Sequence, residues 1–334
     1  MNDLIQRRFA LLSAQQKNIP VGPGYTYVLT DSIIARTADI TETQSWEYCS
    51  YPTLSAMRDI RFSPTGVGIA VGYKQVVRST DGGYNWETVY TDTGTSTTTT
   101  IHQMSSVDTD GKGNWVATGV YGCNVLVSHD DGATWTLKHL SIMYNDSYKS
   151  DVVWLGGTTW VLLQTCSTGI IALSTDSGAT WTAGGYAGFN AYGNNNNMSV
   201  FDGYVWHQDE SRIMQRSLSG AGGSWTACGV AMSTAYGIYG RLRKFNGVYY
   251  GPGRNSSSSV IFMTTDECTT WSTVSTGTVA AISSANCGKY AVVGSTYGNI
   301  RYSADGINWI NHGVPKIEGS TSTISYNISG IAYW

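Results

Sequence analysis

The stretch Ser79-Thr80-Asp81-Gly82-Gly83-Tyr84-Asn85-Trp86 recurs along the chain. Ser128, Asp130, Gly132 and Trp135 repeat its spacing, as do Ser174, Asp176, Gly178 and Trp181. The shared pattern is S-x-D-x-G-x-x-W. Worn copies follow the same logic. Thr264, Asp266 and Trp271 keep the spacing, with Cys268 in the glycine place. Ser303, Asp305 and Trp309 are one residue short, and Ser217, Ser219 and Trp225 are one residue long and lack the Asp. Thr37, Asp39 and Trp46 form a stretched copy. The seven Trp lie 40, 49, 46, 44, 46 and 38 residues apart. A period in that range marks an array of like units and constrains the fold more than any other feature.

Each part of the box suits a tight turn between two strands. The Asp carboxylate accepts hydrogen bonds from backbone N–H groups just downstream, and the Ser or Thr hydroxyl does so more weakly. Gly supplies a positive φ without steric cost. The Trp opens the next strand, where its face is buried and its N–H finds a carbonyl. A buried Trp of this kind is worth roughly 3–5 kcal/mol. Asp81, Trp86, Asp130, Trp135, Asp176, Trp181, Asp266, Trp271, Asp305 and Trp309 are therefore read as structural residues.

On these boxes the chain resembles the Asp-box, or bacterial neuraminidase repeat, proteins, over residues 25–334. That group includes sialidases, xyloglucanases, sortilin-type receptors, photosystem II assembly factors and several phage tail proteins. The resemblance implies a β-propeller with the boxes between the third and outer strands, on the face opposite the usual active site. It implies fold firmly and function hardly at all.

The order of segments fits that expectation. In the second unit, strands are expected over roughly 58–63, 67–73, 75–80 and 86–90. Innermost strands recur at Val152–Trp154, Met198–Phe201, Leu242–Phe245 and Ala280–Ile282, each with a second strand after a short turn. The first unit lacks an innermost strand, and Ser329–Trp334 is an innermost strand with no unit to follow. The expectation is an all-β, seven-bladed propeller of four-stranded blades, its ring closed by the C-terminal strand joining the N-terminal blade. Residues 1–24 are read as a short helix, with Ile5, Phe9 and Leu12 on one stripe, and a linker. That helix would either pack against the propeller or anchor it to an assembly.

Composition narrows the function classes. A net charge of −3 with 13% charged residues does not suit nucleic acid, and no apolar run is long enough for a membrane helix. Neither a signal peptide nor a metal-binding Cys or His spacing is expected, and no cofactor is implied. The six Cys are read as mostly free and buried, with a Cys268–Cys287 bridge left open.

Two residue sets are candidates for a site. Tyr144, Tyr148, Tyr186, Phe189, Tyr192, Tyr236 and Tyr239 lie in long loops expected on the face opposite the boxes, among Asn, Gly, Ser and Thr. Such rings suit ligand or partner contact, or they pack the loops against the rim. Asp59, Asp151, Asp209 and Glu210 are the weak catalytic candidates, since a glycosidase needs two facing carboxylates. Arg58, Arg61, Arg241 and Arg243 fall near innermost strands, which leaves an arginine cluster by the channel open. The sialidase pattern is missing its Arg-Ile-Pro motif; Arg212-Ile213-Met214 is in the wrong place.

The functional expectation is a non-enzymatic phage virion module, of the tail or a fibre-bearing part. It would bind other virion proteins through the helix and a host glycan through the tyrosines, without nucleic acid or membrane insertion. The alternatives are a propeller-type glycoside hydrolase, sialidase-like or xyloglucanase-like, and a cellular assembly factor. The last would be favoured by an arginine patch shared across blades, which the acidic balance does not suggest.

Overall fold

The computed structural model describes residues 24–334 apart from 96–99, 121–122, 145–147, 192–197, 233–236, 255–257 and 278–280. The expected N-terminal helix, with Ile5, Phe9 and Leu12, lies outside the described residues. The remainder forms seven antiparallel sheets, one for each box. Blade 2 is the plainest, with strands Asp59–Phe62, Gly68–Val71, Gln75–Ser79 and Glu87–Thr91 paired in sequence order. Blade 6 departs from the four-strand pattern. Gly237–Ile238 pairs with Arg254 and Gly253, beside the Arg243–Phe245 strand that pairs with the other end of the same neighbour.

Ring closure follows the sequence expectation. The last strand, Gly330–Tyr333, pairs antiparallel with Thr26–Leu29, Gly330 opposite Leu29 and Tyr333 opposite Thr26. Trp334 then fastens this blade to the next. Its carbonyl accepts the N–H groups of Gly24 and Tyr25 at 2.7 Å. Its ring lies against Gly66 and Gly82 of blade 2, where an added Cβ would stand 2.2 and 2.1 Å from ring carbons. Both glycines also have positive φ, so only glycine fits the turns that receive the indole.

The boxes act as turn clamps. In blade 2, Ser79 Oγ accepts the Gly83 N–H at 2.9 Å, and Asp81 Oδ1 accepts those of Tyr84 and Asn85 at 3.1 and 3.0 Å. Blades 3 and 4 repeat this with Asp130 and Asp176, each accepting the N–H four residues on at 2.8 Å. Hydrogen bonds from Thr180 hold the Asp176 carboxyl down to about 2.

Wear of the sequence shows in the indole. In the intact boxes Trp86, Trp135 and Trp181 donate to the carbonyls of Gly83, Gly132 and Gly178 at 2.7, 3.0 and 3.1 Å. Trp309 instead meets Met263 Sδ, and Trp225 and Trp271 have no partner among the described residues. Cys268 holds the glycine place at φ 70°, a conformation unfavourable for a side chain with a Cβ.

One expectation about packing needs correction. Of the box tryptophans only Trp46 and Trp86 are buried; the other five are half-buried. Besides Trp46, the fully buried tryptophans are Trp115, Trp160 and Trp206, all in second strands. Period-two alternation puts one face of a second strand against each neighbouring blade, whereas an outer strand has one face in water. All six Cys are buried and none is in a disulfide, which closes the Cys268–Cys287 option.

Candidate functional site: an arginine-lined channel mouth

The chain enters each innermost strand from the end opposite its box. The residues at those starts therefore ring one end of the central channel, and the structure gathers charge there. Arg241, just before the blade 6 strand, reaches across the channel to four other blades. Its Nη1 donates to Met198 O at 2.7 Å. Its Nη2 lies 3.2 Å from Asp59 Oδ2, 3.0 Å from Ser106 Oγ and 3.4 Å from Asp151 Oδ1. Asp59 also pairs with Arg61, 3.0 Å from Oδ1 to Nη1.

The two carboxylates sit among backbone donors as well. Asp59 Oδ2 accepts the Val107 N–H of the next blade at 3.2 Å, and Asp151 Oδ2 accepts the Met198 N–H. Asp108 repeats the device, taking the Trp154 N–H at 2.8 Å. Carboxylates at innermost strands thus staple one blade to the following one. Burial alone would raise the Asp59 carboxyl, but Arg61 and Arg241 outweigh it and hold it below the ordinary range. Burial wins at Asp108, whose carboxyl is raised against the pull of Arg241 and Arg61. Three aspartates, led by Asp151, stabilise the charged form of Arg241 against its burial.

Beside this network is a small cleft of about 30 Å³, whose walls come from blades 6, 7, 1 and 2. It is lined by Arg58, Asp59, Arg61, Arg241 and Arg243, with Ser283 and Ser284. Arg58 stands at the rim and pairs with Asp31 at 2.7 Å, both half-exposed. Arg243 Nε donates to Ser284 O at 3.2 Å. What such a wall does best is hold a negatively charged group, because planar guanidinium forks match oxoanions.

The sequence candidates are dispersed by comparison. Asp59 and Asp151 meet at Arg241, each also tied to backbone. Asp209 is buried in a loop of blade 5, accepting from Ile213 N and Gln215 Nε2 at 2.9 and 2.8 Å, and Glu210 accepts from Asn190 Nδ2. Tyr144 and Tyr186 are exposed, at 51% and 57%. Tyr148 packs on the core between blades 3 and 4, Phe189 stacks on His207 at 5.8 Å between centroids, and Tyr239 is half-buried. Tyr192 and Tyr236 lie outside the described residues. The arginines were visible in sequence as residues near innermost strands, but their convergence depends on the ring closing.

The sheets, the ring closure and the boxes define a β-propeller of the bacterial neuraminidase repeat type. A family model described as "Photosynthesis system II assembly factor YCF48" matches residues 38–199, which is 162 of the 334, just under half of the chain. No curated protein matches. Among solved structures, one titled "YCF48 bound to D1 peptide" is similar at TM-score 0.57 and 16% identity, covering 93% of this chain and 96% of that one. YCF48 from Cyanidioschyzon merolae is similar at TM-score 0.56 and 16% identity, covering 91% and 97%. The GH74 enzyme of Niastella koreensis is similar at TM-score 0.53 and 19% identity, covering 89% of this chain but 46% of that one. At these identities the structural likeness shows the fold alone.

The family match overturns the expectation of a phage virion module. With it go the virion location, the virion protein partners and the host-receptor role. The composition that suggested a fibre protein has another origin. Ser, Thr, Gly and Asn fill the box turns and positive-φ corners, and low charge follows from strands buried on both faces. The acidic balance also misled about arginine, since net charge averages over a surface while four guanidiniums share one cleft.

Proposed function

We propose that this chain is a non-enzymatic assembly factor, a propeller that holds a segment of a partner polypeptide during the building of a larger complex. The observation that carries the reading is the arginine patch shared by blades 2 and 6 at the channel mouth. It is the feature that favours an assembly factor over the alternatives from sequence. The family model for a photosystem II assembly factor supports it, as does the similar structure of YCF48 bound to a D1 peptide. Tyr144 and Tyr186 would add contact area on the same face.

The carboxylates near the patch serve this reading better than a hydrolase. Asp59 and Asp151 are both engaged with Arg241 and with backbone N–H groups, and Asp59 with Arg61 as well, which leaves neither poised to protonate or attack a sugar. The test is a peptide array that includes D1-derived sequences, probed with the purified chain, with glycan hydrolysis read in parallel. Binding that drops severalfold in Arg58→Glu supports the reading. Glycan turnover, or binding indifferent to Arg58→Glu, overturns it.

A further inference from the structure

Charge in the cleft is uneven. Four guanidiniums line it against one lining carboxylate, Asp59, which Arg61 and Arg241 already share; Asp151, outside the lining, also pairs with Arg241 at 3.4 Å. Arg58 is answered by Asp31 outside. Among the described residues Arg243 has no carboxylate partner, only the Ser284 carbonyl. Two buried N–H positions there have no hydrogen-bond partner among the described residues, Arg61 Nη2 and Arg241 Nε. Arg241 is 6% exposed, so water does not readily replace the missing acceptor.

The serine hydroxyls of the wall do not relieve this. Ser283 Oγ donates to Ile328 O and Ser284 Oγ to Arg241 O, both within the protein. Burial, with Arg61 and Arg241 nearby, pushes the ionisation of Arg243 down to about 9. A guanidinium still keeps its proton at neutral pH, so the like charges stand beside one another in the cleft wall.

We propose that the cleft binds one oxoanion, a carboxylate or phosphate group, held by Arg61 and Arg243 with Arg241 behind them. Two or three acceptor oxygens would take up the unanswered donors and offset the like charges. Guanidinium forks select a planar or tetrahedral oxoanion over a bare halide, because each fork presents two parallel donors. The group can arrive as a free ion or on a polypeptide, at a chain terminus or an acidic side chain. The polypeptide source rests on the proposed function above; the site itself stands on the geometry.

The experiment titrates the full chain with sodium phosphate and with sodium acetate, against sodium chloride at matched ionic strength, reading thermal unfolding and calorimetric heat. Phosphate at about a hundredfold excess over its Kd should raise Tm by about 3–4 °C beyond chloride. Arg243→Gln and Arg61→Gln should each remove most of that shift, while Arg301→Gln on the third strand of blade 7 should keep it. A second arm compares acidic peptides with a free carboxyl terminus and their amides. Preference for the acid, competed by phosphate, places a partner's carboxylate in the cleft. Phosphate binding with no acid preference keeps the site and counts against the polypeptide source. No saturable shift or heat with any of these anions overturns the site, whether or not the variants fold.

Discussion

Arg241 and Asp59 stand 182 positions apart in sequence, yet Arg241 Nη2 lies 3.2 Å from Asp59 Oδ2 across the channel. The same nitrogen is 3.4 Å from Asp151, in blade 4. One side chain of blade 6 thereby neutralises the two carboxylates that tie blade 2 to blade 3 and blade 4 to blade 5. A propeller built from neighbour contacts alone would lack such a cross-channel tie.

Removing that tie should be costly. Arg241→Ala takes the Arg241 cation away from buried Asp151 and leaves Asp59 to Arg61 alone, a change worth roughly 3–5 kcal/mol. Chemical denaturation of the purified variant reads this directly. The double variant Arg241→Met, Asp151→Asn should recover part of the loss, because it removes a charge on both sides. A loss under about 1 kcal/mol for Arg241→Ala would show that the charges find other partners.

Ring closure gives a second prediction. Trp334→Ala removes the indole from its seat against Gly66 and Gly82, at a cost of about 2–3 kcal/mol for a half-buried Trp. Gly82→Ala should destabilise as well, since its φ is +72° and the new methyl would stand 2.1 Å from the ring. Deleting the last five residues removes the strand that pairs with Thr26–Leu29, and should expose a free strand edge and promote aggregation. Light scattering during thermal unfolding checks the last point.

The boxes differ in what an indole N–H contributes. Trp135→Phe gives up the bond to Gly132 O and should lose about 1 kcal/mol beyond the packing change. Trp271→Phe has no such bond to lose and should be close to neutral or slightly stabilising. Equal losses for the two variants in denaturant unfolding would assign the effect to ring volume instead.

Stability should fall on the acid side in two separate steps. His207 is buried, and that burial, opposed by Asp151, pushes its ionisation down to about 4. In the unfolded chain it titrates near 6.5, so between about 6.5 and 4 the unfolded state holds the extra proton. Stability is complete above that window and decreases as pH falls through it. His207→Gln should flatten this part of the profile. The box carboxyls act lower. Asp176, held at about 2 by its bonds to Thr180, contributes stability above its unfolded value that is lost as pH falls toward 2. Unfolding midpoints measured from pH 7 to 3 test the histidine step, and a His207→Gln profile that overlays the wild type would remove it.

Much of the architecture was legible because it is local. Ser, Asp, Gly and Trp at fixed spacing make a turn whose hydrogen bonds span four residues or fewer, so Asp81, Asp130 and Asp176 reveal themselves without any knowledge of the rest of the chain. The period of those turns fixed the number of blades, and the unpartnered strands at the two ends fixed how the ring shuts. The site was legible only in part. Arg58, Arg61, Arg241 and Arg243 could be placed near innermost strands, but nothing local says that Arg241 spans the channel or that Arg243 pairs with no carboxylate among the described residues. Tyrosines in long loops looked alike in sequence; the fold made Tyr144 and Tyr186 exposed and turned Tyr148 and Phe189 into packing. By itself, the sequence determined the repeating turn, the strand order and the closed ring, because short-range hydrogen bonding and alternation act over a few residues. The tertiary structure alone decided where charge converges, because closing seven blades brings strand starts from distant parts of the chain around one narrow channel, where burial makes each unpaired group count.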